Sequence, residues 1–417
     1  MSDVRGYMAV TVAYWGFTLT DGALRMLVLL HFHQLGFSPL DLAYLFLLYE
    51  AMGIATNFVG GWIAARFGLR LTLFTGLGIQ ILALLLLSGL QKSWSMEFSI
   101  IYVMGAQALS GVAKDLTKMS SKSAVKLVVK EEGQGAGQGE GKEKGLLFRW
   151  VALLTGSKNA LKGLGFLLGG VLLQALGFQM SLWFMALALG LVFVVTRLVV
   201  DKDMGRVKSK IRGKELFSKS REINILSFSR IFLFASRDVW FVVGLPVFLY
   251  SAMGWSFDEV GAFMALWVIG YGIVQAFVPR FTKRIKDAHS GAIAARAWGG
   301  LLTLVPAILA YGLWLDFEQA HVFLLGGLLV FGFIFAVNSS LHSYLIVACS
   351  DEDKVALNVG FYYMANAIGR LAGTLLSGLV FQYYGLVACL IVSTAMVLIA
   401  AISIFFLAPE TKTSRIV

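Results

Sequence analysis

At 417 residues the chain is 58% hydrophobic, only 14% charged and carries 5 prolines, with a mean hydropathy of +0.78. A soluble domain of this length has too little interior to hide so much apolar surface, so a soluble globular protein is excluded. The net charge of +11 reads as loop charge that sets membrane topology, and no nucleic-acid partner is expected.

Apolar runs of about 20 residues with short polar breaks predict a multi-pass α-helical membrane protein. About twelve spans fall near 7–32, 41–64, 70–90, 97–119, 147–173, 178–200, 224–250, 258–280, 291–314, 322–348, 355–383 and 386–408. The first reads as a retained span, because it holds Asp21 and Arg25 and lacks an early basic region and a cleavage site. With a cytoplasmic N-terminus, the inner loops hold Arg66, Arg70, DKDMGRVKSKIRGKELFSKSRE and PRFTKRIK. The outer loops hold Asp41, Asp258, Glu259, Asp316 and Glu318, with Lys92 almost their only basic residue. That asymmetry predicts both termini inside. Residues 131–145, EEGQGAGQGEGKEKG, predict a flexible cytoplasmic linker.

The halves repeat. LGFSPLDLAYLF (35–46) resembles MGWSFDEVGAFM (253–264), and LKGLGFLLGGVLLQALG (161–177) aligns with GRLAGTLLSGLVFQYYG (369–385). The second alignment sets Gly165 against Gly373, Gly170 against Gly378, Gln174 against Gln382, Gly177 against Gly385 and Lys162 against Arg370. The domain reading is therefore an N-terminal six-helix bundle (1–200, linker included), a basic central loop (201–222) and a C-terminal six-helix bundle (223–417). The expected fold is all-α, twelve transmembrane helices in two pseudo-symmetric bundles, as in major facilitator transporters, with substrate handled between halves near mid-membrane.

Charges test that expectation. Each lysine at a bilayer centre costs roughly 3 kcal/mol, so charges inside spans mark substrate or ion routes. Spans 70–90 and 386–408 have no internal charge, and 178–200 and 291–314 have only Arg197 and Arg296 near their ends. The deep charges are Asp21, Arg25, Glu50, Lys158, Lys162, Arg237, Asp238 and Arg370. The cations Arg25, Lys158, Lys162, Arg237 and Arg370 outnumber the acids and suit an oxyanion. Asp21 and Arg25, four apart, could instead neutralise each other. Arg237 and Asp238 are adjacent and are expected to point to partners on different helices. Asp21, Glu50 and Asp238 are candidates for proton coupling or counter-charge. Glu50 has no basic residue beside it in sequence, and it could equally be a packing residue.

Lys114, Lys118, Lys122 and Lys126 form an i, i+4 stripe. The last three are expected among lipid headgroups, while Lys114 with Asp115 could reach a cavity mouth. Glycines 156, 165, 169 and 170 allow close helix approach. Cys349 and Cys389 make no metal spacing, His342 stands isolated, and no nucleophile–histidine pair marks an enzyme. No cofactor or metal is expected.

GGWIAARFGLRLTL (60–73) resembles the loop motif between spans 2 and 3 of major facilitators, with Ala65 where the motif has aspartate. Gly156, followed after eight residues by GFLLGG (165–170), resembles their span-5 antiporter motif, with Phe166 in place of its proline. Basic residues in spans 1 and 7, Arg25 and Arg237, resemble the organophosphate–phosphate antiporters. Over nearly the whole chain, stretches such as YWGFTLTDGALRMLVLLHFHQLGFSPL, LSGVAKDLTKMSSKSAVK, RWVALLTGSKNALKG and SREINILSFSRIFLFASRDVWFVVGLPV resemble the ArsJ-type organoarsenical efflux permeases. That resemblance implies export of 1-arseno-3-phosphoglycerate; with the carboxylates as proton carriers, proton-coupled export across a bacterial inner membrane is expected. A glyceraldehyde-3-phosphate dehydrogenase would be the functional partner and arsenate resistance the outcome, with the protein expected to act as a monomer. An organophosphate or inorganic-anion antiporter of the same fold is the alternative.

Overall fold

The computed structural model describes residues 2–91, 93–135, 140–200, 220–281, 285, 287–315, 318–350 and 355–407. Their side chains are described over 8–57, 70–91, 93–118, 120–121, 157–200, 220–278, 285, 287–315, 318–350 and 358–407. The side chains of Arg66, Lys122 and Lys126, and most of the 201–222 loop, lie outside these residues.

Ten helices form among the described residues, and there is no strand. They are α1 (Ser2–Gln34), α2 (Pro39–Ser88), α3 (Met96–Gly135), α4 (Glu140–Val199), α5 (Arg221–Phe241), α6 (Gly244–Ser251), α7 (Phe257–Phe281), α8 (Ala288–Trp314), α9 (Ala320–Ala348) and α10 (Val355–Phe405). Of the twelve expected spans, α2, α4 and α10 each run through two, with α4 and α10 bending between them, and α5 with α6 share one. No proline lies between Pro39 and Pro246 or between Pro306 and Pro409 to stop α2, α4 or α10. The stretch expected as a flexible linker is likewise helical at 131–135 and 140–145.

Eight stretches among the described residues are long and apolar enough to cross a membrane. At 1.5 Å per residue, the 43-residue stretch Ser157–Val199 reaches about 65 Å, twice the hydrocarbon thickness of a bilayer. It breaks at Gly177 (φ 73, ψ 180), and α10 breaks at Gly385 (φ 72, ψ −172). Those backbone angles are almost glycine-only, and the two residues are repeat partners. Gly36 and Gly254, also aligned with each other, are the remaining positive-φ glycines among the described residues. After each comes the same helix start. The Ser38 amide and hydroxyl donate to Asp41 at 3.1 and 2.6 Å, while those of Ser256 donate to Glu259 at 2.8 Å each. Both follow capping-box logic. Gly177→Ala and Gly385→Ala should each lower stability by about 1–3 kcal/mol, read as earlier thermal unfolding in detergent; an unchanged midpoint would refute the turn's demand for glycine.

The chain divides into two compact units. The first gathers Met1–Phe37, Tyr44–Ile211 and Leu249–Gly272, and the second gathers Ser38–Ala43, Arg212–Phe248 and Ile273–Val417. In the first unit α1 packs chiefly on α4, and in the second α5 packs chiefly on α10. Small residues set both contacts. A methyl at Gly165 would lie 2.5 Å from the Leu19 carbonyl oxygen, and one at Gly373 would lie 2.7 Å from Asp238 Cβ. Two further glycine seams use the helix starts: Gly170 meets the backbone of Phe257 in the first unit, and Gly378 that of Pro39 in the second. Gln382 completes the latter by accepting the Leu40 amide at 3.0 Å.

Candidate functional site

In the first unit the charged groups are built on α1, α2, α3 and α4. Arg25 donates through Nη2 to Glu50 Oε1 at 2.6 Å, with both side chains buried. Asp21 instead accepts the Tyr49 hydroxyl at 2.6 Å. Local neutralisation of Arg25 by Asp21 is thus corrected: one helical turn places both on one face, and α2 supplies a closer partner to each. Glu50, alone in sequence, has a guanidinium in space. Tyr49 is the hub, its ring 4.0 Å from Lys114 Nζ and 5.3 Å from Arg25 Cζ, centroid to cation.

Gly111 makes this hub reachable, since α3 there runs against the Tyr49 backbone. One turn on, buried Asp115 accepts the Thr56 hydroxyl at 2.5 Å and lies 3.6 Å from Lys118 Nζ. Lys118 also donates to Asn57 Oδ1 at 3.0 Å. The expectation that Lys118 lies among headgroups is therefore corrected: a buried carboxylate one turn away draws it inward. Lys158 and Lys162 are half-buried on α4 along the α1 seam. Trp15 donates to Ser157 at 3.1 Å, and a methyl at Gly22 would lie 2.6 Å from the Lys162 carbonyl oxygen. Lys162 Nζ stands 5.8 Å from the Phe166 ring centroid.

In the second unit, Asp238 is buried and contacts two arginines. Arg237 donates to its Oδ1 through Nε at 2.6 Å and approaches through Nη2 at 2.5 Å, while Arg370 Nε lies 3.6 Å from Oδ2. Arg237 and Asp238 are expected to find partners on different helices; Asp238 does meet Arg370 on α10, but the expectation for Arg237 is corrected, since it pairs with its own neighbour. Adjacent helical positions diverge at Cβ, but arginine's long stem brings the guanidinium back over its neighbour's carboxylate. Phe234 and Phe335 hold it there, with ring centroids 5.0 and 5.5 Å from Arg237 Cζ.

Arg230 is missing from the sequence-derived set. It is 5% exposed and donates from Nε to Asn366 and from Nη1 to the carbonyl and hydroxyl oxygens of Ser339, all at 3.1 Å. The i, i+4, i+7 spacing of Arg230, Phe234 and Arg237 is the signal that marks it. His342, expected to be isolated, lies within electrostatic reach of Arg230. Arg296, expected near a span end, donates to the carbonyls of Ile404, Phe405 and Leu407, closing the end of α10.

Beyond the end of the first span, His33 bonds to Ser251 at 2.6 Å, within the first unit. Burial pushes its imidazole below the ordinary value, partly opposed by the Phe37 backbone. A depressed histidine favours the neutral, contacted form, whose stability is lost as pH falls through about 6.5, where the released ring takes up a proton. Relative to the intrinsic rate, amide protection at the end of α6 should fall as pH drops from about 7.5 to about 5.5, and His33→Gln should remove that fall; an equal pH response in both proteins would disprove the link.

The sequence pattern described as Major Facilitator Superfamily matches residues 7–341 and 226–416. Among solved structures, a bacterial homologue of the iron transporter ferroportin in its inward-facing state is 19% identical, covering 97% of this chain and 98% of that one, with a TM-score of 0.66. A point mutant of the nucleoside transporter NupG is 14% identical, covering 97% and 99%, with a TM-score of 0.70. At these identities the likeness concerns fold alone. None of the curated proteins matches the chain.

Proposed function

The chain belongs to the major facilitator superfamily, and from that premise we propose that it exports a small organoarsenical polyanion, 1-arseno-3-phosphoglycerate, by proton-coupled alternating access. The observation that carries the reading is the surplus of cations inside the spans. In the second unit, among the described residues, Arg230, Arg237 and Arg370 stand against a single carboxylate within the spans, Asp238. In the first, Lys158 and Lys162 add to Arg25, which Glu50 already matches. A substrate bearing carboxylate, phosphate and arsenate groups meets such a surplus. The resemblance to the organoarsenical permeases supplies the identity.

In this reading Arg25, Lys158, Lys162, Arg237 and Arg370 bind oxyanions, while Asp21, Glu50 and Asp238 carry protons or counter-charge. Lys114 and Asp115 stand at the cavity mouth. The partner is the dehydrogenase that makes the arsenylated acid, and the setting is a bacterial inner membrane with both termini cytoplasmic. Everted vesicles should accumulate the synthesised substrate in response to an imposed pH gradient. No accumulation removes the substrate, and accumulation indifferent to the gradient removes the coupling. Arsenate resistance independent of the companion dehydrogenase would favour an organophosphate or inorganic-anion antiporter.

A further inference from the structure

Arg230 sits where a guanidinium is expensive. It is 5% exposed, and one ring against it, Tyr362, belongs to the second unit's apolar core. A charge held in such surroundings costs several kcal/mol unless it is paired. Its partners are neutral: Asn366, Ser339 and the faces of Phe234 and Tyr362, whose centroids lie 4.0 and 4.7 Å from Cζ. No carboxylate lies within ion-pair distance of it among the described residues. Nε and Nη1 are engaged, and Nη2 makes no hydrogen bond among the described residues.

A second observation points the same way. His342 follows Ser339 by one turn of α9 and is 1% exposed, with its Nδ1 buried and without a hydrogen-bond partner among the described residues. A buried ring nitrogen without a partner, one turn along α9 from the Ser339 that holds Arg230, adds a second polar group for a ligand to satisfy. An acidic side chain could have occupied this position, as Glu50 does for Arg25 in the first unit. The described residues supply none, which leaves this position open to an anionic ligand.

We propose that Arg230, positioned by Asn366 and Ser339 and flanked by His342, is an oxyanion-binding position that takes a carboxylate, phosphate or arsenate group on its Nη2 side. The stacked rings keep the guanidinium planar and fixed, which suits two-point recognition of an oxyanion. The inference rests on the reading of the protein as an anion transporter and adds a cation to the set that handles its substrate.

The test uses the purified full-length protein in a neutral maltoside detergent, so that no lipid phosphate competes. Inorganic phosphate is titrated against thermal unfolding, with sodium chloride at matched ionic strength as reference. Wild type should show a saturable rise in midpoint, and Arg230→Gln should need at least about thirtyfold more phosphate for half the effect. Arg230→Lys should fall between, and His342→Gln should weaken the response severalfold. An unshifted titration in Arg230→Gln overturns the proposal.

If that variant does not fold, phenylglyoxal modification of wild type gives the answer, read by mass spectrometry at Arg230. Phosphate should slow the modification; no protection, or no modification with or without phosphate, also overturns the proposal. Phosphate protection at Arg230 in a protein whose vesicles ignore the arsenylated acid would leave this site standing and remove only the substrate assignment.

Discussion

Replacing Lys162 with glutamine is expected to lower transport at least thirtyfold while leaving the protein inserted and folded. The fold should survive because the α1–α4 seam is made by backbone. The Lys162 carbonyl and Gly165 meet Gly22 there, and the lysine side chain is not what closes the contact. Transport should fail because a charged hydrogen bond to an oxyanion contributes about 2 kcal/mol, roughly thirtyfold in affinity, which a neutral amide does not replace. Arg370→Gln, at the aligned position of the other half, should give a loss of similar size. Lys162→Arg should restore most of the activity, because it keeps the charge. Vesicle uptake at several substrate concentrations, with size-exclusion profiles for folding, provides the measurement. Normal uptake by Lys162→Gln would demote the lysine to packing.

The largest expected effect on stability belongs to Glu50→Leu. Arg25 would then keep a buried guanidinium with its carboxylate gone, a change that costs about 3–5 kcal/mol when one member of a buried pair is removed. Removing both charges, as Arg25→Met with Glu50→Leu, should recover most of that loss, because neither group is left uncompensated. Transport should stay low in the double variant if Arg25 meets substrate. Tyr49→Phe, which takes one hydroxyl from Asp21, should cost only about 1 kcal/mol. Thermal unfolding of wild type, Arg25→Met, Glu50→Leu and the double variant forms the cycle; additive losses would mean that the pair is not coupled.

Some of this architecture is legible from residues alone. Gly36, Gly177, Gly254 and Gly385 are visible as repeats because their backbone angles exclude other residues, so the sequence had to keep glycine at both copies. Charges within spans are visible because each is costly. Their pairing is not, because it depends on helix rotation and reach. Arg25 and Glu50 are 25 positions apart and meet only once α1 and α2 are packed. Arg237 and Asp238 mislead a helical projection, which fixes the direction of Cβ but not that of a flexible guanidinium. Arg230 lies nearer the start of its span, where a charge looks affordable. Its spacing from Phe234 and Arg237 puts it on their helix face, and its 5% exposure shows that this face is buried.

The glycine seams at the helix starts carry a mechanical consequence. Gly170 meets only the main chain of Phe257 and Asp258, and Gly378 meets the main chain of Pro39 and Leu40 with the Ala43 methyl beside it, so neither seam interlocks large side chains. Each joins a helix of one half of the sequence to a helix start of the other. Surfaces without knobs separate without any rotamer having to change, and they close again in the same register. Such joints work as latches that slide instead of teeth that mesh. A bulkier residue at either glycine would therefore act as a wedge that forces the two backbones apart.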